Sequence, residues 1–259
     1  MGVRIHRNPQ AYREYEIRVG REVLLPLLAR WAWFPIGKRV LELGCAEGGL
    51  LDAFHDGGSH VAAVELDERR AAYAAKSSPY DLDVYVADIT QPNLTQRIPG
   101  CWDLIVLRDV IEHIGDKQQA MRNIKTLLSP GGQLFMETAP WFMPFGGHQQ
   151  VLDSPFRFVP WLHLLPRRSY RKFLLNVLKQ QPALVEDLMS TYDCQITMRQ
   201  LHRLIRGTGF SIEHERLYFI NPAYRIRFGL PEIRWPFSSR FPLVPEVAAT
   251  SVAMLLSAR

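Results

Sequence analysis

The chain has 259 residues, 47% hydrophobic and 22% charged, ordinary figures for a globular protein with a substantial core. Cys45, Cys101 and Cys194 are odd in number and widely spaced, which argues against a disulfide framework or a thiolate zinc site and for a reduced, cytoplasmic setting. The net charge of +5 is unevenly spread, with 16 Lys/Arg against 18 Asp/Glu in residues 1–140 and 14 against 7 in residues 141–245.

Met1 to Pro9 carries Arg4 and Arg7 but no apolar run, so no signal peptide is expected, and no stretch further on reads as a transmembrane helix. Tyr12 to Trp33 then reads as an amphipathic helix in which Pro26 is awkward. "KRVLELG" is a short buried strand ending in glycine, and "EGGLLDAFHDGG" is a helix stopped by Gly57-Gly58. Strand "HVAAVELD", helix "ERRAAYAAKSS", and strands "DVYVADI" and "WDLIVLRDV" follow. An amphipathic helix ends at Pro130-Gly131-Gly132, and "GQLFMETA" is the fifth strand. This alternation predicts a parallel sheet covered on both faces. After Ala139 the rhythm breaks, and proline, aromatics and basic residues accumulate. It resumes at "TMRQLHRLIRGTGF", "FSIEHERLYFI" and a last strand "EVAATSVAMLLSA", which is expected to run antiparallel.

Glycine at the turn after the first strand lets the backbone approach a ligand, and the next helix offers free N–H groups. The spacing there, Glu42-x-Gly44-x-Ala46-x-Gly48, is not the dinucleotide fingerprint. Glu65 stands at the end of the second strand, where a carboxylate can accept from both ribose hydroxyls. Asp88 ends the third, within reach of an exocyclic amine.

Taken in order, "VLELGCAEGG", "VAAVELD", "VYVADI", "WDLIVLRDVIEHI" and "LLSPGGQLFMETAP" resemble a class I S-adenosylmethionine-dependent methyltransferase. The likeness covers Lys38 to Pro140, "TMRQLHRLIRGTGF" and the closing strand. It implies a Rossmann-like, doubly wound, mostly parallel seven-stranded sheet with an antiparallel last strand and a helical insertion. It also implies that Gly44, Cys45, Ala46 and Gly48 cradle the methionine moiety of S-adenosyl-L-methionine above Glu42. Glu65, followed by Leu66, would hold the ribose; Asp88 and the Ile89 backbone would read the adenine; Arg108 would line the methionine end. Ala46 departs from the family's usual second glycine and is tolerated if its φ is negative.

Methyl transfer to a hydroxyl needs a base, or a metal that lowers the hydroxyl's pKa. In "DVIEHI", Asp109, Glu112 and His113 would share one face if the segment is helical. The element resembles that of metal-assisted O-methyltransferases acting on ubiquinone precursors or small-RNA ends, and His148 follows the next strand as in the RNA group. A divalent metal at this element is possible on that resemblance, but pocket roles are favoured over it. Asp109, His113 and His148 are the catalytic candidates, with His148 turned inward by Gly146-Gly147.

The basic, aromatic stretch Gln149 to Leu178 reads as a lid, as a surface for an anionic or lipid-linked partner, or, least favoured, as a nucleic-acid platform. The expectation is a single domain over 1–259, with a cofactor core over 38–140 and substrate-side insertions over 141–195 and 221–245. Its acceptor would be a small molecule, glycan or lipid-linked compound, and peripheral membrane contact is left open. The competing readings are a metal-assisted RNA 2′-O-methyltransferase and a non-catalytic, cofactor-binding partner subunit.

Overall fold

The computed structural model describes residues 8–234 and 243–259. The start of the chain, with Arg4 and Arg7, and residues 235–242 of the second expected insertion lie outside the described residues. Eight strands form one sheet: β1 (Arg39–Leu43), β2 (His60–Glu65), β3 (Asp83–Val86), β4 (Trp102–Arg108), β5 (Leu128–Thr138), β6 (Phe210–Ile220), β7 (Ile233–Arg234) and β8 (Ser251–Ala258). Their spatial order is β3-β2-β1-β4-β5-β8-β6-β7. The first five are parallel, and β8 runs antiparallel between β5 and β6. The seven expected strands are present, and the two-residue β7 adds an eighth on the edge by pairing with Tyr218 and Ile220.

The helices, in chain order, are α1 (Pro9–Val19), α2 (Leu25–Arg30), α3 (Gly49–Asp56), α4 (Glu68–Ser77), α5 (Leu94–Arg97), α6 (Lys117–Leu127), α7 (Arg167–Lys172), α8 (Pro182–Asp193), α9 (Met198–Gly207), α10 (Ala223–Phe228) and α11 (Leu243–Ala248). A π-helical turn at Gly20–Leu24 joins α1 to α2 and resolves the awkward Pro26. Proline removes a backbone donor, and the looser turn ahead of it puts Pro26 in the first turn of α2, where that donor is not needed. Gly20 also lets α3 come close, since a Cβ there would lie 2.7 Å from Ala53 Cβ.

Side chains alternate across a strand, so each strand feeds two cores. Leu41, Leu43, Ile105, Leu107 and Met136 pack with Met121 and Ile124 of α6 and Leu201 and Ile205 of α9. Val40, Leu104, Val106 and Phe135 pack with Tyr15, Val19, Leu28, Leu51 and Phe54 on the other face. A third, smaller core of Leu152, Leu162, Tyr170, Leu174, Val185, Leu188 and Met189 holds together the helical segment after β5. That segment is tied at its base by a hydrogen bond from Trp141 N to Ile196 O, 3.0 Å. Between β1 and β4 the strand order reverses, and the carboxyl ends of the strands frame a crevice at that point. No described helix is long and apolar enough to cross a membrane.

Candidate active site

A cavity of about 880 Å³ opens at the carboxyl ends of the strands. At one end lies the turn after β1, where Gly44, Ala46 and Gly48 have φ of 76°, 53° and 74°. A Cβ on Gly44 would lie 2.6 Å from Val110 Cγ2, so glycine is required by space as well as by conformation. Ala46 corrects the sequence expectation: its φ is positive, a conformation costing an L-residue about 1–2 kcal/mol. The strained turn is held by Glu65, whose Oε2 accepts from Ala46 N at 2.8 Å. Oε1 of the same carboxylate accepts from Leu66 N at 2.9 Å and Asp67 N at 3.0 Å. Asp88 Oδ1 accepts from both the backbone and the hydroxyl of Thr90, each at 2.8 Å, which leaves its Oδ2 for a ligand. Beneath the turn, Glu42 is buried with Oε2 unpartnered, and burial pushes its pKa well up.

In the middle of the cavity stands Arg108, at the end of β4. Its guanidinium donates to both carboxylate oxygens of Glu16 from α1, at 2.7 and 3.3 Å. Asp109 and Glu137 lie 3.6 Å away on its other sides. Burial, with Asp109 second, pushes Glu137 up to about 7. Asn221 Nδ2 donates 2.8 Å hydrogen bonds to Glu137 Oε1 and to Ser251 Oγ, linking β5, β6 and β8.

The other end is lined by His113 and His148, with Glu112 buried behind them. The "DVIEHI" segment is a single 3₁₀ turn at Ile111–His113, not an α-helix, and Asp109 before it has φ 53°. The expected shared face of Asp109, Glu112 and His113 therefore does not form. Asp109 stays with Arg108, whereas one donor atom each from Glu112, His113 and His148 come within 4.8 Å of one another. Thr138 donates to Glu112 Oε2 at 2.9 Å, and Oε1 is buried without a hydrogen bond, 3.9 Å from His148 Nε2. Burial, reinforced by Asp109, pushes Glu112 up to about 8. His148 sits at φ 56° in a tight turn and packs edge-on against His113, ring centroids 5.0 Å apart. Burial, with His113 and His163 adding like charge, pulls His148 down to about 3. Gly147 ahead of it is a close-approach glycine: a Cβ would lie 2.1 Å from that of His163, whose Nε2 donates to Trp141 O.

Of the residues singled out in the sequence, Gly44, Ala46, Glu65, Leu66, Asp88, Ile89, Arg108, Asp109, His113 and His148 line this one cavity. Glu42, Cys45, Gly48 and Glu112 do not; Glu112 is buried behind His113 and His148, and Cys45 behind the turn, where burial pushes its thiol up. Glu16, Asn221 and Tyr224, and Asp187, Leu188 and Thr191 of α8, also line the cavity, and no motif in the sequence marks them. Glu16 carried no local signal, because its partner is 92 residues away.

Residues 10–215 match the family model described as a methyltransferase domain. The chain belongs to this methyltransferase family. Within it, the chain is 31% identical over 106 residues to the ubiquinone biosynthesis O-methyltransferase of Pseudomonas aeruginosa, covering 39% of this chain and 44% of that protein. The match thus spans less than half of the curated relative. Among solved structures, the PH0226 protein of Pyrococcus horikoshii superposes with a TM-score of 0.59 at 17% identity, covering 97% of this chain and 93% of that one. An S-adenosylmethionine-dependent methyltransferase of Mesorhizobium loti gives 0.56 at 18% identity, with 89% and 95% covered. At these identities the structures show the methyltransferase fold.

Proposed function

We propose that this chain moves a methyl group from S-adenosylmethionine to a hydroxyl of a small-molecule, glycan or lipid-linked acceptor. The reading is carried by one cavity with a backbone cradle at one end and two imidazoles at the other, backed by the buried Glu112 carboxylate. The cradle fits the cofactor on two counts. Glu42 holds an unpartnered oxygen under the turn, and Asp88 keeps Oδ2 free. Glu65 would accept from the ribose, Asp88 from the adenine amine, and the Gly44–Gly48 turn would hold the methionine end above Glu42. The acids around Arg108 suit the cofactor's cationic groups. The methyltransferase of ubiquinone biosynthesis among its relatives is named for transfer to oxygen, which supports a hydroxyl acceptor.

The bound cofactor supplies a methyl group already activated on a sulfonium. The chain's task is then to hold an acceptor oxygen in line and receive its proton. A base works best with a pKa near the operating pH. His148, held near 3, is weakly basic; Glu112, near 8 with Oε1 unbonded, is the stronger acceptor. The proton is therefore assigned to Glu112 Oε1, which is buried 3.9 Å from His148 Nε2 and would receive it by way of the His148 ring, with His113 orienting the hydroxyl. Calorimetry with S-adenosylhomocysteine tests the foundation: the chain should bind it, and Asp88→Ala should weaken binding by roughly 10–100-fold through loss of a charged acceptor. Absence of binding to the intact chain sinks the proposal.

A second reading places a divalent ion at the same end, favoured by the convergence of one carboxylate and two imidazoles. Imidazole and carboxylate suit such ions, and a bound ion would lower the pKa of the acceptor hydroxyl. Turnover unchanged by a chelator removes this reading. Turnover lost to chelation and restored by one added divalent metal removes the metal-free one.

A further inference from the structure

We propose that the segment after β5 docks the chain on an anionic phospholipid bilayer. Between Phe156 and Leu165, six large apolar side chains are exposed: Phe156, Phe158, Val159, Trp161, Leu164 and Leu165, with Phe158 at 62%. Scattered exposed apolar residues are ordinary, but a run of this density marks a contact surface. These side chains are held outward by a fixed backbone. Leu162 and His163, between them in sequence, are buried, and Tyr170 and Leu174 anchor the following helix in the third core. Trp161 N donates to Pro144 O at 2.7 Å, and its Nε1 donates to Phe142 O at 3.0 Å.

The charge of this stretch is mostly of one sign, with Asp153 just before it and Asp193 and Glu186 paired to Arg167 and Arg171. Residues 154–181 hold six Lys/Arg and no Asp/Glu. Half-buried Arg157 lies over the exposed Phe158 ring, 4.8 Å from its centroid, so a cationic and an apolar group stand together at this surface. Arg168 and Lys172 are exposed beside it. Exposed Phe, Trp and Leu next to unneutralised cations is the pattern that settles at the headgroup–acyl boundary of an anionic membrane. A nucleic-acid platform fits less well. Half of the strip is aliphatic and offers no ring for base stacking, and Arg167 and Arg171 are tied to Asp193 and Glu186 at 2.5 and 2.7 Å.

Val151 and, further on, Leu184 and Leu188 of α8 line the cavity, so the segment that meets the bilayer also walls the site. Docking would present the cavity to amphiphiles held in the membrane. Docking itself is independent of the methyl-transfer reading, and only the delivery of the acceptor rests on it.

The test is co-sedimentation of the full chain, without cofactor, with vesicles of phosphatidylcholine alone or mixed with phosphatidylglycerol. Binding is expected on the mixed vesicles, weakened by salt. Phe158→Ser with Leu164→Ser should reduce it roughly tenfold or more. Arg168→Glu with Lys172→Glu should reduce it by a similar factor, about tenfold, on anionic vesicles only. S-adenosylhomocysteine binding, unchanged in both variants, reports an intact fold; should the apolar variant misfold, the charge variant decides. No binding to mixed vesicles, or binding indifferent to both variants, overturns the proposal. Binding to single-stranded RNA that both variants abolish, with none to vesicles, replaces the bilayer with nucleic acid.

Discussion

The two ends of the cavity are built on different principles. The Gly44–Asp88 end is made by backbone turns at the ends of three adjacent strands, and its acids are already engaged with backbone N–H groups. The Glu112–His148 end is made by side chains from a 3₁₀ turn, a loop and α8, and it leaves a buried carboxylate oxygen unbonded. The first is tied down by backbone hydrogen bonds and leaves Glu42 Oε2 and Asp88 Oδ2 unbonded, as suits ground-state binding. The second keeps unused proton-accepting capacity, as suits a step that moves a proton.

That contrast breaks most sharply at Glu112. Glu112→Gln keeps the size and an acceptor for Thr138, and should lower methyl transfer about 10²–10⁴-fold while leaving S-adenosylhomocysteine affinity nearly unchanged. Equal losses of both, seen by turnover assay and calorimetry, would merge the two ends into one. At the other end, Gly44→Ala forces a Cβ to 2.6 Å from Val110 in a left-handed conformation. It should cost roughly 2–4 kcal/mol in denaturant unfolding and impair cofactor binding before it touches proton transfer.

The pH profile sharpens the difference further. Transfer should rise as Glu112 ionises, levelling off above about 8, if no metal is bound; a bound ion would hold the carboxylate ionised and flatten that rise. Stability moves the other way. Glu112 is raised from 4.5 to about 8, so its folded form holds a proton more tightly, and stability is lost as pH rises through that window. His148, lowered from 6.5 to about 3, contributes stability above 6.5 that is lost as pH falls toward 3. Thermal melts should therefore show Glu112→Gln gaining on the parent chain toward pH 8, with the gap closing below pH 5. A parallel pair of curves removes the buried-carboxylate account. The smallest effect belongs to Ala46→Gly, which should stabilise by roughly 0.5–1 kcal/mol, the strain relieved being partly offset by backbone entropy in the unfolded chain.

The same contrast explains what could be read from the sequence. Strand ends, the glycine turn, Glu65 and Asp88 follow from local spacing, because a parallel strand and the turn after it are set by a few consecutive residues. The mostly parallel sheet and the antiparallel β8 followed from the rhythm of those elements, whereas the strand order is set by packing between distant segments. Helical spacing misled at Asp109: a φ of 53° turns its side chain to Arg108 and leaves Glu112 and His113 to meet His148 from across the chain. Ala46 misled likewise, since a residue letter does not report its φ. The α8 wall, with Asp187, Leu188 and Thr191, depended on how the third core packs against the strand ends, and no periodicity in its own stretch announces that.

Arg108 and Glu16 set a timetable for synthesis. The helix that carries Glu16 leaves the ribosome early, yet its buried partner lies 92 residues downstream. Until β4 is made, α1 has no cation to meet, and until α1 docks, Arg108 has only Asp109 and Glu137 at 3.6 Å. The middle of the cavity is thus a late, long-range event in folding. A chain clipped after Glu16 would carry every strand end that lines the cavity and still lack the carboxylate that its buried guanidinium holds at 2.7 Å.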